Sequence, residues 1–430
     1  MMKRLLIGMI CLAAASLAQA QVKIEHWTTP AGARVHFVET RVLPIIDVQI
    51  DFAAGSAYDP ADKPGLASLT RSLLDAGAGD LDEEKISGRL VDTGARLGGS
   101  ADDDRASLTL RTLSSKPERE AAVELVRTLL QQPNFPAAVL DREKKRLIAG
   151  IKEADTRPAS IGSKRFMAAI YPGHPYGYHA TVESVGRIER DDLVRFHSAY
   201  YTARRASVSI VGDLSRAEAE ALAIRLTDGL PEGGEAEPIP EVVLPQREKL
   251  RIPHHATQSH IFVGLPAMRR GDPDFFPLLV GNYILGGGGF VSRLTKEVRE
   301  KRGFAYSVYS HFQPYRRLGP FEIGLQTKRE QAEEALKVVD TTLAAFLEKG
   351  PTEDELKRAK ENLINGFALR IDSNKKILDH VAMIGFYGLP LDYLDRYPKE
   401  VAKVTSAQIR DAFSRRIRPE NLVTVIVAGS

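Results

Sequence analysis

SLTLRTLSSKPEREAAVELVRTLL, residues 107–130, reads as an alternating strand, a short loop and an amphipathic helix, and FPAAVLDREKKRLIAGI follows at 135–151. The same succession returns in the second half of the chain: FEIGLQTKREQAEEALKVVDTTLAAFL at 321–347, then PTEDELKRAKENLINGF at 351–367. The ends of the halves agree as well. FHSAYYTARRASVSIVG (196–212) matches AFSRRIRPENLVTVIVAG (412–429), each a helix end, a basic turn and a β-branched strand. A repeat of roughly 215 residues whose unit holds strands and two or more long helices predicts an α+β fold. It should have two homologous domains related by a pseudo-twofold, each a mainly antiparallel sheet with helices packed on one face. The alternation in VQIDFAAG (48–55) suits a sheet with helices on one face and a cavity on the other.

Between the halves, LPEGGEAEPIPEVVLPQ (230–246) is rich in Pro, Gly and Glu and lacks a helical period, so 231–246 reads as a linker between domains at 21–230 and 247–430. The first twenty residues, MMKRLLIGMICLAAASLAQA, carry two basic residues, an apolar run and an Ala-Gln-Ala ending. They read as a signal peptide cleaved after Ala20, which predicts a periplasmic or secreted protein. Cys11 is the single cysteine and leaves with that segment, so no disulfide, thiolate nucleophile or cysteine-bound zinc is expected. The 59 Lys and Arg against 56 Asp and Glu give a net charge of +3, to which Lys3 and Arg4 contribute. Nothing in this balance points to nucleic acid, and no second apolar run is long enough to span a bilayer.

At GSAYDPADKPGLASLTRSLLDAG (55–77) a strand gives way to an Asp59-Pro60 turn and then a helix from about Pro64, with Leu66, Leu69 and Leu73 on one stripe. Together with YPGHPYG (171–177) and the repeat, this segment resembles the pitrilysin and mitochondrial-processing-peptidase family of inverzincins, over nearly all of the mature chain. In that family the helix carries H-x-x-E-H, with two histidines one turn apart on zinc and a glutamate that activates water. Here those positions hold Ser68, Arg71 and Ser72, and the further glutamate ligand falls on Gly150, although Glu143 of the later helix is kept. A hydroxyl is a poor zinc ligand and a guanidinium repels the ion. No bound cofactor is therefore expected, and the helix reads as a polar face with an Arg71–Asp75 pair one turn apart. The pairs His174/His179 and His255/His260 lack the one-turn spacing that would rebuild a site.

In the second half, NYILGGGGFVSRLTKEVREKRGFAYSVYSHF (282–312) has four glycines before a helix with Phe290, Leu294 and Val298 on one stripe, then a strand from about Phe304. The glycines are not followed by G-K-[ST], which argues against a phosphate loop. The segment resembles the family's "R/Y pair", an arginine and a tyrosine seven residues later, here Arg299 and Tyr306. The resemblance implies that the phenol donates to the oxyanion of a peptide under attack while the guanidinium grips a substrate carbonyl. It also implies an edge strand at GGSADDDRASLTL (98–110) on which an extended peptide can lie, along Gly99, Ser100 and Ala101. His174 and Tyr176 read as structural, and the runs 101–105 and 299–302 as solvated faces apart from Arg299.

One half thus lacks the metal site and the other keeps the clamping pair. The family implies a subunit that supplies Arg299 and Tyr306 to a zinc-bearing homologous partner for peptide hydrolysis, inactive alone. The alternative is a non-catalytic, peptide-holding or scaffold member of the same family. An autonomous peptidase finds no nucleophile and base in the sequence to support it.

Overall fold

The computed structural model describes residues 22–234 and 237–428. The leader segment 1–20 and linker residues 235 and 236 lie outside the described residues.

Two sheets dominate. The first is built from β1 (Glu25–Thr28), β2 (Arg34–Glu39), β3 (Ile45–Phe52), β4 (Arg96–Gly98), β5 (Ala106–Leu113) and β6 (Ala206–Gly212), in the spatial order β1-β2-β6-β3-β5-β4. The second holds β7 (Glu248–Ile252), β8 (Gln258–Met268), β9 (Ala305–Phe312), β10 (Gly319–Lys328) and β11 (Val423–Val427), in the order β9-β10-β8-β11-β7. Stripped of β1, the two orders are the same. In each half the first and last of these strands form a parallel pair, β2 with β6 and β7 with β11, and the other pairings are antiparallel. The repeated strand-loop-helix segments appear as β5 followed by the helix Lys116–Gln131, and β10 followed by the helix Ala332–Lys349. The mixed α+β class and the duplication read from the sequence are what the chain adopts.

Five helices position the candidate sites and join the halves: α1 (Leu66–Ser72), α2 (Ala137–Ala154), α3 (Pro158–Ile170), α4 (Phe275–Asn282) and α5 (Asn374–Tyr387). Two of them cross between the halves. Helix α3 packs on β8 and β11 of the second sheet, and α5 packs on β6, β3 and β2 of the first. At each crossing a glycine lets helix and sheet approach. A Cβ at Gly162 of α3 would lie 2.4 Å from the Phe262 ring, and one at Gly385 of α5 would lie 2.4 Å from His36 Nδ1.

This reciprocal embrace corrects the expectation of sheets open on one face. The polar residues of β3 are buried: Asp51 is 0 % exposed, and Asp47 and Gln49 are buried with it. The side chains pair instead of facing water. Arg111 holds Asp47 through two bonds of 2.7 and 2.9 Å, and Asp51 accepts from Gln49 at 2.8 Å and from Arg105 at 3.2 Å. Alternation here separates a core face from an interface between halves, because a buried carboxylate needs a donor and not necessarily water.

Candidate functional site

Helix α1 begins where Asp59 makes it begin. The Asp59 carboxylate accepts from the amides of Gly65 and Ala67, both at 2.7 Å, and satisfies donors that a helix start leaves free. Leu66, Leu69 and Leu73 are buried as the stripe predicts. Ser68 and Ser72 face outward one turn apart, and Ser72 Oγ donates to the Leu69 carbonyl at 3.0 Å.

Arg71 is not on a polar face. It is 5 % exposed, its Nε donates to the Ser107 carbonyl and its Nη2 to the Gly98 carbonyl. No ion pair joins it to Asp75 among the described residues. The reason lies in the neighbouring hairpin. Gly99 sits at φ +132°, where the β4–β5 ladder breaks, and the guanidinium fills that break with two donors in a fixed fork. The long arginine stem makes the buried position reachable, which spacing along one helix does not reveal.

The other degenerate positions are equally unlike a metal site. Gly150 is exposed on α2 with open space around it. Glu143 is neutralised by Arg142 at 3.2 Å and Arg146 at 3.0 Å. Both ring nitrogens of His174 are occupied, Nδ1 by the Tyr176 amide at 3.1 Å and Nε2 by the Pro240 carbonyl at 3.0 Å. Among the described residues no three His, Cys, Asp or Glu side chains converge so as to hold a metal ion. Two hydroxyls and a buried guanidinium do not fit zinc.

At the hairpin, Ser100 spends its backbone inward. Its carbonyl accepts the Ser107 amide at 2.7 Å and its amide donates to Ser107 Oγ at 3.1 Å, while Ala101 bridges Ala106. The acidic turn beyond is not a solvated face. Asp104 is 1 % exposed and accepts from Tyr176 Oη at 2.5 Å, Tyr387 Oη at 2.8 Å and the Arg316 amide at 2.7 Å. It joins the hairpin, the HPYG turn and the second half. Tyr171 Oη adds a bond to the Leu318 carbonyl at 2.8 Å. Clustered aspartates resemble a solvated run in sequence, and only the aromatic partners, distant along the chain, distinguish this one.

In the second half the glycine-rich segment departs from a regular helix. After α4 the chain widens into i→i+5 turns: Gly288 N–H donates to the Tyr283 carbonyl at 2.8 Å, and Lys301 N–H to the Lys296 carbonyl at 3.0 Å. Such widened turns are rare and concentrate at functional sites. Leu294 and Val298 are buried, but Phe290 leaves the expected stripe and is 67 % exposed. Gly289 at φ +61° turns the chain just before it.

That turn gives Phe290 another task. The Arg299 guanidinium carbon lies 4.9 Å from the Phe290 ring and 4.8 Å from the Tyr306 ring, held between two aromatics. The nearby Glu297 is occupied by Lys301 at 2.6 Å and Arg302 at 2.8 Å, so Arg299 enters no ion pair among the described residues. Tyr306 itself is the extra residue of a β-bulge. Ala305 pairs with Thr327 and Ser307 with Gln326, which leaves Tyr306 without a partner on β10. Simple alternation would send Tyr306 inward with Val308 and Ser310. The bulge turns it outward beside Ser307, and it is 84 % exposed. Nothing in the sequence singles out Phe290, because its spacing from Leu294 and Val298 fits a buried stripe.

A duplicated α+β chain with a ligand-poor motif helix in one half and an exposed arginine–tyrosine pair in the other has a peptidase-like architecture. Residues 35–182 match the family described as insulinase (peptidase family M16), and residues 187–363 the one described as peptidase M16 inactive domain. The chain is 36 % identical to the solved peptidase M16 inactive domain from Pseudomonas fluorescens, covering 95 % of this chain and 98 % of that one with a TM-score of 0.91. It is 25 % identical over 416 residues to the protein called non-peptidase homolog YmxG from Helicobacter pylori, covering 96 % and 95 %. The periplasmic protease PqqL from Escherichia coli shares the fold, with a TM-score of 0.80 at 14 % identity over 95 % of this chain and 46 % of that one. The chain belongs to the M16 peptidase family, the insulinases, as an inactive-type member related to zinc proteases. Those likenesses fit a chain that carries no metal.

Proposed function

We propose that this chain is the metal-free subunit of an exported, periplasmic M16 peptidase, and that it closes on a homologous subunit carrying zinc to degrade peptides. Arg299 and Tyr306 are its contribution to catalysis. The observation that carries the reading is the exposed Tyr306 phenol on a bulge, with the Arg299 guanidinium fixed against its ring and no carboxylate claiming it. A phenol held this way can donate to the oxygen on which negative charge develops as water attacks a peptide carbonyl. A preorganised donor lowers that barrier without reorganising during the reaction. The guanidinium binds a neighbouring carbonyl through its fixed fork of donors and keeps the ring in place. No helix among the described residues is long and apolar enough to cross a membrane, and the periplasmic location of PqqL agrees with export of a relative.

The test uses this chain together with a homologue that has an intact H-x-x-E-H helix, sought first in a neighbouring gene. The mixture should cleave an unstructured peptide faster than the homologue alone, and Tyr306→Phe should reduce kcat by a factor of about 10²–10³. A mixture no faster than the homologue alone would sink the proposal. A Tyr306→Phe subunit as effective as the wild type would favour the scaffold reading, to which the non-peptidase relative lends weight.

A further inference from the structure

Between α3 of the first half and the second sheet lies a cleft of about 620 Å³, within the range of roughly 300–1,000 Å³ common for ligand sites. Both halves build it, with Ser160, Ser163 and Lys164 on α3 facing His260, Tyr309 and Glu322 on the sheet. Its lining also includes Ser307, the residue directly after Tyr306, which shares the outward side of the bulge. Along β9 the cleft thus reaches the residue next to Tyr306.

The floor is constructed in detail. Tyr309 stands opposite Gly324 in the β9–β10 register, and a Cβ at position 324 would lie 2.4 Å from Tyr309 Cζ. The absent side chain lets the tyrosine ring lie across β10, where its hydroxyl donates to Glu322 Oε1 at 2.9 Å. Glu322 is 9 % exposed and joins no ion pair among the described residues. The two other titratable walls do not neutralise it. Lys164 is held by Asp155 at 2.7 Å, and burial lowers the His260 pKa, which disfavours the charged ring. A carboxylate with spare lone pairs beside an aromatic face, in a cleft open to an incoming side chain, suits a cation.

We propose that this cleft is a side-chain subsite for a lysine or arginine of an extended peptide, whose stem lies across the Tyr309 ring and whose cationic head meets Glu322. Ring and carboxylate act together: the face of a tyrosine attracts a cation, and a charge-assisted hydrogen bond fixes its position. The inference rests on the reading of the chain as a peptide-handling subunit and assigns that subunit a preference.

Two fluorescent, unstructured peptides decide the matter, one with a single arginine and the other with citrulline, its neutral isostere, in the same place. Binding to the full wild-type chain should favour the arginine peptide by about tenfold, and Glu322→Gln should abolish the difference. Gly324→Val, which displaces the Tyr309 ring, should weaken arginine binding as well. Equal affinity of the two peptides for the wild type overturns the proposal without recourse to any variant, as does the absence of saturable binding at millimolar peptide. A Glu322→Gln chain that keeps the full preference also overturns it. These measurements need no catalytic partner. An arginine preference without partner-dependent hydrolysis would reject the catalytic role of Tyr306 and leave the subsite standing, whereas hydrolysis without a preference would do the reverse.

Discussion

Arg71 stands where the resemblance would place the glutamate of a zinc-binding helix, and its guanidinium serves the backbone of the adjacent hairpin. A Met replacement would leave the Ser107 and Gly98 carbonyls without their donors. Each unsatisfied carbonyl costs about 1–3 kcal/mol, and part of that is offset because a buried charge also disappears. We expect Arg71→Met to lower stability by about 2–4 kcal/mol in urea unfolding. Arg71→Lys should recover only part of the loss, since an ammonium does not span two carbonyls in a planar fork. An unchanged urea midpoint for the Met variant would contradict this account. The nature of position 71 as a non-ligand was plain from the sequence, but its burial was not, because the carbonyls it serves lie 27 and 36 residues away.

Among the elements, glycine has opposite consequences on neighbouring helices. Gly162 lies where α3 crosses the second sheet, and a side chain there meets the Phe262 ring at 2.4 Å and Val427 Cγ2 at 3.1 Å. Gly162→Val should therefore destabilise by about 1–3 kcal/mol or more through overpacking. Gly150 on α2 faces open space, so Gly150→Ala should gain up to about 1 kcal/mol of helix propensity. Thermal unfolding of the two variants should move in opposite directions, and movement in the same direction would show that the crossing is not tightly packed. The bulge at Tyr306 belongs to this scale too. Strand β9 was legible from its alternation, but the extra residue appears only in the pairing with β10.

Across the whole molecule, the halves are held by carboxylates removed from water. Beside Asp104, Asp103 is pushed up from the ordinary 3.8 to about 6, chiefly by burial, with a hydrogen bond from Tyr315 opposing the shift. Its folded-state pKa lies above its unfolded one, so the folded chain binds the extra proton between those values. The stability from this group is full below about pH 4 and is lost as the pH rises through about 6. Glu355 acts in the opposite sense: held at about 2 by Arg293 and the Thr352 amide against its own burial, it contributes stability that is full above about pH 4.5 and is lost as the pH falls toward 2. Asp103→Asn removes the first titration alone. The melting temperature of the variant minus that of the wild type should therefore increase from pH 4 to pH 7, and a difference independent of pH would refute the assignment.

The duplicated strand and helix pattern determined by itself that the chain would form two α+β halves, since periodicity and turn chemistry act over a few residues. That Ser68, Ser72 and Gly150 offer no imidazole or carboxylate was equally fixed, because no fold changes the chemistry of a side chain. Only the tertiary structure decided that α3 and α5 cross to cover each other's sheets, that Asp104 is a clasp, and that Phe290 and a bulge set Arg299 against Tyr306. Each depends on groups far apart in the chain meeting where water is excluded. There the strength of a contact follows from its partners and its burial, and neither is written locally.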